Sequence, residues 1–132
     1  MGRCIKGFVE LDWVTGEGFA AQTADIFRVT GNLRKVEVKI SSVTGNSNLT
    51  ATVVISDISD TDFVTTLETF SALAHGTLHI FNSRSKEYDA DKEIDETFFN
   101  LNDLRITVTP NEDVGGTLQT LTVKVKLYLK YH

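Results

Sequence analysis

The sequence predicts an all-β fold, an antiparallel β-sandwich of about eight strands with jelly-roll character. The C-terminal run alternates apolar and polar residues with period two. Earlier runs are short, rich in β-branched residues and set apart by clusters of Gly, Asn, Asp and Ser. Composition is ordinary for a globular chain, with 41% hydrophobic and 23% charged residues over 132 positions. A chain of that size buries about two-thirds of its unfolded surface around one core. Residues 1–132 are therefore read as a single β-sandwich domain.

The first strand falls over residues 8–14 and is followed by Thr15, Gly16, Glu17 and Gly18, a turn signal. Runs 26–29 and 36–40 come next, separated by Thr30, Gly31 and Asn32, residues that accept turn backbone angles. After Thr44, Gly45, Asn46, Ser47 and Asn48, a further strand occupies 49–55. Residues 63–74 pull in two directions. Phe63, Leu67, Phe70 and Ala74 recur at helical spacing while the threonines favour strand, and the spacing predicts one short helix there. Residues 79–81 and 97–101 supply two more strands. The run 104–109 also alternates, and it joins 121–131 as a hairpin whose loop runs from Pro110 to Gly116. Within the last strand Leu121, Val123, Val125, Leu127, Leu129 and Tyr131 take the core side, and Thr122, Lys124, Lys126, Tyr128 and Lys130 the wet side.

Acidic residues outnumber basic ones by 18 to 13, a formal net charge of −5. Most nucleic-acid affinity comes from neutralising phosphates, so nucleic acid is not an expected partner. No apolar run approaches the roughly 20 residues that cross a bilayer, and no membrane partner is expected. Met1, Gly2, Arg3, Cys4 and Ile5 open no signal-peptide pattern, and Lys6 stands where a myristoylation motif has Ser or Thr. Synthesis in the cytoplasm is the expectation. Cys4 is the only cysteine, which rules out an internal disulfide.

Candidates for chemistry are few. The segment 88–96 carries Asp89, Asp91, Glu93, Asp95 and Glu96, a density of hard oxygen ligands suited to Ca²⁺. It departs from the EF-hand pattern, with Ile94 where that loop needs Gly and Asn100 where it needs Glu, so a solvated acidic loop is the competing reading. Asp57, Asp60 and Asp62 form a second acidic group, which turn formation and capping explain without a ligand. His75 and His79 have the spacing of a helical zinc pair, but Gly76 and Thr77 between them disfavour a helix, leaving one histidine at a turn and one on a strand. No nucleophile elbow or Cys-x-x-Cys pair occurs, and Gly115-Gly116 is only a turn. The expectation is a protein with no catalytic residue, no cofactor and no metal, and not an enzyme. Trp13, Tyr88, Tyr128 and Tyr131 are the candidate binding or interface residues, because Trp and Tyr anchor protein interfaces. A carbohydrate- or calcium-binding β-sandwich module is the alternative function.

Residues 104–131, LRITVTPNEDVGGTLQTLTVKVKLYLKY, resemble the closing hairpin of small virion proteins of tailed phages, which end in a Gly-Thr turn, an alternating strand and a final aromatic. Residues 49–57, LTATVVISD, look like the strand and acidic turn of similar proteins. The resemblance implies a bacteriophage virion structural protein, a capsid decoration, cement or head–tail joining protein. It further implies a location in the virion, capsid or tail proteins of the same particle as partners, and homo-oligomeric assembly, with synthesis in the host cytoplasm.

Overall fold

A computed structural model describes residues 3–13, 21–42, 50–74, 76–82, 92–94, 97–111 and 121–131. Its strands are β1 (Arg3–Trp13), β2 (Gln22–Ser42), β3 (Thr50–Asp57), β4 (Thr65–Ala74), β5 (Leu78–Asn82), β6 (Lys92–Glu93), β7 (Phe98–Pro110) and β8 (Leu121–Tyr131). The predicted all-β, antiparallel sandwich is what the chain forms; among the described residues only the short β5–β6 pair runs parallel.

β2 organises the sandwich. Its first half pairs with β7, from Gln22 opposite Val108 to Asn32 opposite Phe98. Its second half pairs with β8, from Asn32 opposite Lys130 to Ser42 opposite Leu121, and on its other side with β5. One strand thus serves both layers, ordered β1-β8-β2-β5 and β2-β7-β3-β4, which is the strand order of a jelly roll. The sequence reading placed two strands and a turn here. Instead the chain bends without reversing, because register shifts fall between Ile26 and Val29, between Val29 and Gly31, and between Leu33 and Lys35. Arg28 (φ 58°) and Gly31 (φ 123°) supply the left-handed backbone that such bulges use.

Period-two alternation places the core as expected. Leu121, Val123, Val125, Leu127 and Leu129 of β8 are each at most 2% exposed. Val36, Val38 and Ile40 of β2, Ala51, Val53 and Ile55 of β3, and Leu104, Ile106 and Val108 of β7 complete the inner faces. Each large aliphatic side chain so buried contributes roughly 1.5–3 kcal/mol. The layers also touch along their edges. Phe70 of β4 stacks on Phe81 of β5 with ring centroids 3.9 Å apart. On the opposite side Ile26 Cδ1 lies 3.2 Å from where a Cβ on Gly7 of β1 would be, so the missing side chain lets β2 approach.

Two expectations are corrected. Residues 63–74 form no helix: β4 is a strand, favoured by its threonines, and of the four residues at helical spacing only Phe70 is buried. Val53 and Ala51, two apart on β3, face Phe70 and Leu73, three apart on β4, with Ala72 (φ 54°) as the extra residue. Nor do residues 104–109 and 121–131 form a hairpin. Both edges of β8 are taken, by β1 and β2, while β7 lies between β2 and β3. The expected strands at 97–101 and 104–109 are one strand, β7, kinked at Leu101 (φ 57°). The turn at Gly115 and Gly116 lies outside the described residues.

Candidate functional site

Ile26, Leu104, Asp57 and Thr65 stand side by side across β2, β7, β3 and β4. The chain beyond that row, residues 27–31, 58–64 and 98–103, gathers at one end of the sandwich. Apolar doublets mark it. Ile26-Phe27, Phe63-Val64 and Phe98-Phe99 break alternation, so one member of a doublet on a strand must face outward. Phe27, Phe63, Val64, Phe98 and Leu101, large apolar side chains on this end, are 56–76% exposed. Monomeric proteins rarely expose contiguous apolar surface of this kind without a use for it.

Hydrogen bonds fix the backbone that carries these side chains. Asp57 Oδ1 accepts from the Ser59 amide at 2.9 Å and the Ser59 hydroxyl at 2.6 Å, and Asp57 Oδ2 accepts from Asn102 Nδ2 at 2.9 Å. The Asp103 amide donates to Ser59 Oγ at 2.9 Å, and the Ile58 amide to the Asp103 carbonyl at 2.9 Å. Asp103 Oδ1 accepts from the Arg28 amide at 3.0 Å, and Thr30 Oγ1 from the Leu101 amide at 3.1 Å. Partial burial of Asp57 opposes its charged form, but the donors from Ser59 and Asn102 outweigh it and hold the carboxyl below its ordinary value. In the β3–β4 loop Asp60 Oδ1 accepts from the Asp62 amide at 2.9 Å, and the Phe63 amide donates to the Asp60 carbonyl at 3.0 Å. Asp57, Asp60 and Asp62 thus do the turn-forming work that the sequence allowed. The left-handed residues Arg28 and Leu101 lie inside this network, a placement of backbone strain that marks functional surfaces.

The outer face of the layer β1-β8-β2 is different in kind. Tyr128 Oη donates to Glu37 Oε1 at 2.6 Å, and Lys35 Nζ lies 4.4 Å from the Tyr128 ring centroid and 3.6 Å from Glu37 Oε2. The bond to Glu37, partial burial and the Glu37 charge all push the Tyr128 hydroxyl pKa up. Lys124 lies 3.6 Å from Glu10 and directly opposite Lys39, and Lys126 sits between Phe8 and Glu37. Phe8 is half exposed there.

Three of the four sequence candidates lie at separate positions along β1 and β8. Trp13 pairs with Leu121 at one end of β1-β8 and Tyr131 with Arg3 at the other. Tyr128 is mid-strand with a lysine over its ring, and Tyr88 lies outside the described residues. Asp89, Asp91, Asp95, Glu96 and His75 also lie outside the described residues. His79 is buried on β5 with Nε2 2.9 Å from the Ala74 carbonyl oxygen. It borders a shallow groove lined by Thr69, Phe70, Ala72 and Phe81. Among the described residues no group of three or more His, Cys, Asp or Glu side chains is placed to hold a metal ion.

No family model and no curated protein matches the chain. Solved structures do. The infectious bursal disease virus Gx strain structure matches with a TM-score of 0.50 at 11% identity, over 99% of this chain and 32% of that one. The VP2 subviral particle of infectious bursal disease virus matches with a TM-score of 0.50 at 12% identity, over 99% of this chain and 33% of that one. T=1 particles derived from infectious bursal virus give 0.50 and 12%, over 99% and 32%. The chain therefore spans about a third of the length of these neighbours. They are viral capsid proteins, and what the chain shares with them is the β fold.

Proposed function

We propose that residues 1–132 form one domain of a non-enzymatic structural protein of a virus particle, working through protein–protein contacts. The observation that carries this reading is the end bearing Phe27, Phe63, Val64, Phe98 and Leu101, apolar and solvent-exposed on a backbone tied down by hydrogen bonds. A preorganised apolar surface binds a protein partner with little ordering cost. The jelly-roll strand order, common to capsid and lectin domains, adds weight on the side of the capsid through the viral neighbours.

The particle is that of a tailed bacteriophage and the chain a capsid decoration, cement or head–tail joining protein, with capsid or tail proteins and further copies of itself as partners. This finer assignment rests on sequence likeness alone, that of residues 49–57 and of the alternating strand 121–131 with its final aromatic, since β7 and β8 do not pair as the hairpin in that likeness. Immunogold electron microscopy of particles purified from cells that make the protein tests it directly. Gold at a fixed place on tailed particles is expected, and label that stays with the soluble fraction would sink the reading. A Phe63→Ser/Leu101→Ser variant should lose its place on the particle while keeping the thermal midpoint of the parent, since both side chains are exposed.

A further inference from the structure

We infer that the chain assembles head to tail with copies of itself, the β3–β4 loop of one copy seated on the outer face of β1, β8 and β2 of the next. This rests on the reading of the loop's end of the sandwich as an assembly surface, and it names the partner.

Uncompensated charge of opposite sign, each beside an exposed aromatic ring, carries the inference. On the loop, Asp60 and Asp62 are exposed and make no ion pair among the described residues, and Phe63 and Val64 follow them into solvent. The Asp60–Asp62 and Asp60–Phe63 hydrogen bonds hold that Asp-Thr-Asp-Phe-Val knob in one shape. On the sheet face, Lys39 and Lys126 make no ion pair among the described residues. Lys39 faces Lys124, a like charge, and Glu37, the neighbour of Lys126, is already engaged by Tyr128 and Lys35. Phe8 lies directly beside Lys126 on β1. Lys124 shares its charge with Glu10, 3.6 Å away, so the two lysines left for an acidic partner are Lys39 and Lys126, with one residue pair between them on the neighbouring strands β2 and β8. The chain as a whole is acidic at −5, so this lysine-bearing face is the surface on it to which an acidic knob is drawn.

The knob cannot reach its own sheet face. Hydrogen bonds from the Ile58 amide to the Asp103 carbonyl and from the Asp103 amide to Ser59 Oγ tie the loop to β7, in the other layer. The contact is therefore between copies and uses two different patches, which makes it heterologous. Repetition closes a ring or extends a filament rather than stopping at a symmetric dimer.

Sedimentation velocity of the full chain over a range of protein and salt concentrations tests this, using Asp60→Lys/Asp62→Lys and Lys39→Glu/Lys126→Glu. The parent should form species beyond the dimer and dissociate as salt rises. Each variant alone should need about tenfold or more protein to associate. Mixed in equal amounts they should associate again, because each presents the charge that the other's altered patch requires; that rescue also shows both are folded. Asp60→Asn/Asp62→Asn should associate weakly and with less salt dependence. A monomeric parent, a parent that stops at a dimer, variants that associate like the parent, or a mixture without rescue would each overturn the inference. Particle attachment is read separately. Attachment without self-association removes this inference and leaves the virion role, and self-association without attachment does the reverse.

Discussion

Gly31 lies against the backbone of Lys130, so close that a Cβ in its place would stand 3.1 Å from the Lys130 carbonyl oxygen. The contact sits where β2 passes from β7 to β8, and Gly31 has φ +123° there. Gly31→Ala therefore meets two costs, a left-handed backbone and a rigid carbonyl, and should destabilise the fold by about 2–3 kcal/mol. Gly76 is the control. Its φ is +78° but nothing lies within 4 Å, so Gly76→Ala should lose about 1 kcal/mol from backbone conformation alone. Urea midpoints of the two variants compare them. Equal losses would show that the close approach of β2 to β8 does not constrain the chain.

The same residue explains part of what the sequence could not disclose. Gly31 between Thr30 and Asn32 reads as a turn, because glycine signals left-handed backbone without saying whether the chain reverses or only bulges. The core was legible wherever alternation ran unbroken, as from Leu121 to Leu129, since period two settles which face is buried. Partners were not legible. β7 and β8 look like a hairpin because both alternate, and only the three-dimensional order shows β2 between β8 and β7. Phe63, Leu67, Phe70 and Ala74 suggest a helix by spacing alone, yet Phe63 and Ala74 face solvent and only Phe70 is buried. At the candidate surface, attention to Trp and Tyr missed Phe27, Phe63 and Phe98, although adjacent apolar pairs were the available signal. A doublet in a strand cannot bury both members on one face.

The Phe70–Phe81 stack joins β4 of one layer to β5 of the other, with the rings inclined by 16°. Both side chains are 2% exposed. Phe81→Ala should cost about 3–5 kcal/mol through lost burial and the cavity left behind. A double-mutant cycle with Phe70→Ala should return a coupling of about 0.5–1.5 kcal/mol. Additive losses would mean that each ring acts only through its own burial, not by closing the edge.

Acid should weaken the fold through Asp25 and Asp57. The Arg105 guanidinium hydrogen-bonds Asp25 Oδ1 at 2.8 Å and Oδ2 at 3.1 Å and holds its carboxyl below the ordinary value, against a smaller opposing effect of burial. At Asp57 the Ser59 and Asn102 donors act in the same direction. A carboxyl whose pKa is lower folded than unfolded adds stability above the unfolded value, and that stability disappears as pH falls through the folded value. Denaturation midpoints should therefore hold from neutral pH down to about 4 and decline below it. Asp25→Asn/Asp57→Asn should flatten that decline. With Arg105 and Asp25 at 44% and 25% side-chain exposure, solvent screening keeps the ion pair's own contribution at neutral pH small. An unchanged acid profile in the double variant would place the pH dependence elsewhere.

Leu127 and Lys126 are neighbours in β8 with opposite duties. Leu127 is fully buried between Gly7 of β1 and Val36 of β2, whereas Lys126 stands on the outer face between Phe8 and Glu37. Leu127→Ala removes buried methyl groups and leaves a cavity that the paired strands on either side cannot close, so it should cost about 2–5 kcal/mol of monomer stability. Lys126→Ala breaks no ion pair among the described residues, and its effect on the monomer should stay within about 0.5 kcal/mol. Its effect on assembly should be larger, since lysine at an interface contributes both its stem and its charge. Chemical denaturation at low protein concentration reads the first quantity, and sedimentation at high concentration the second. A Lys126→Ala variant as unstable as Leu127→Ala would mean that both faces of β8 are buried within one copy, and the outer face would lose its standing as a docking surface.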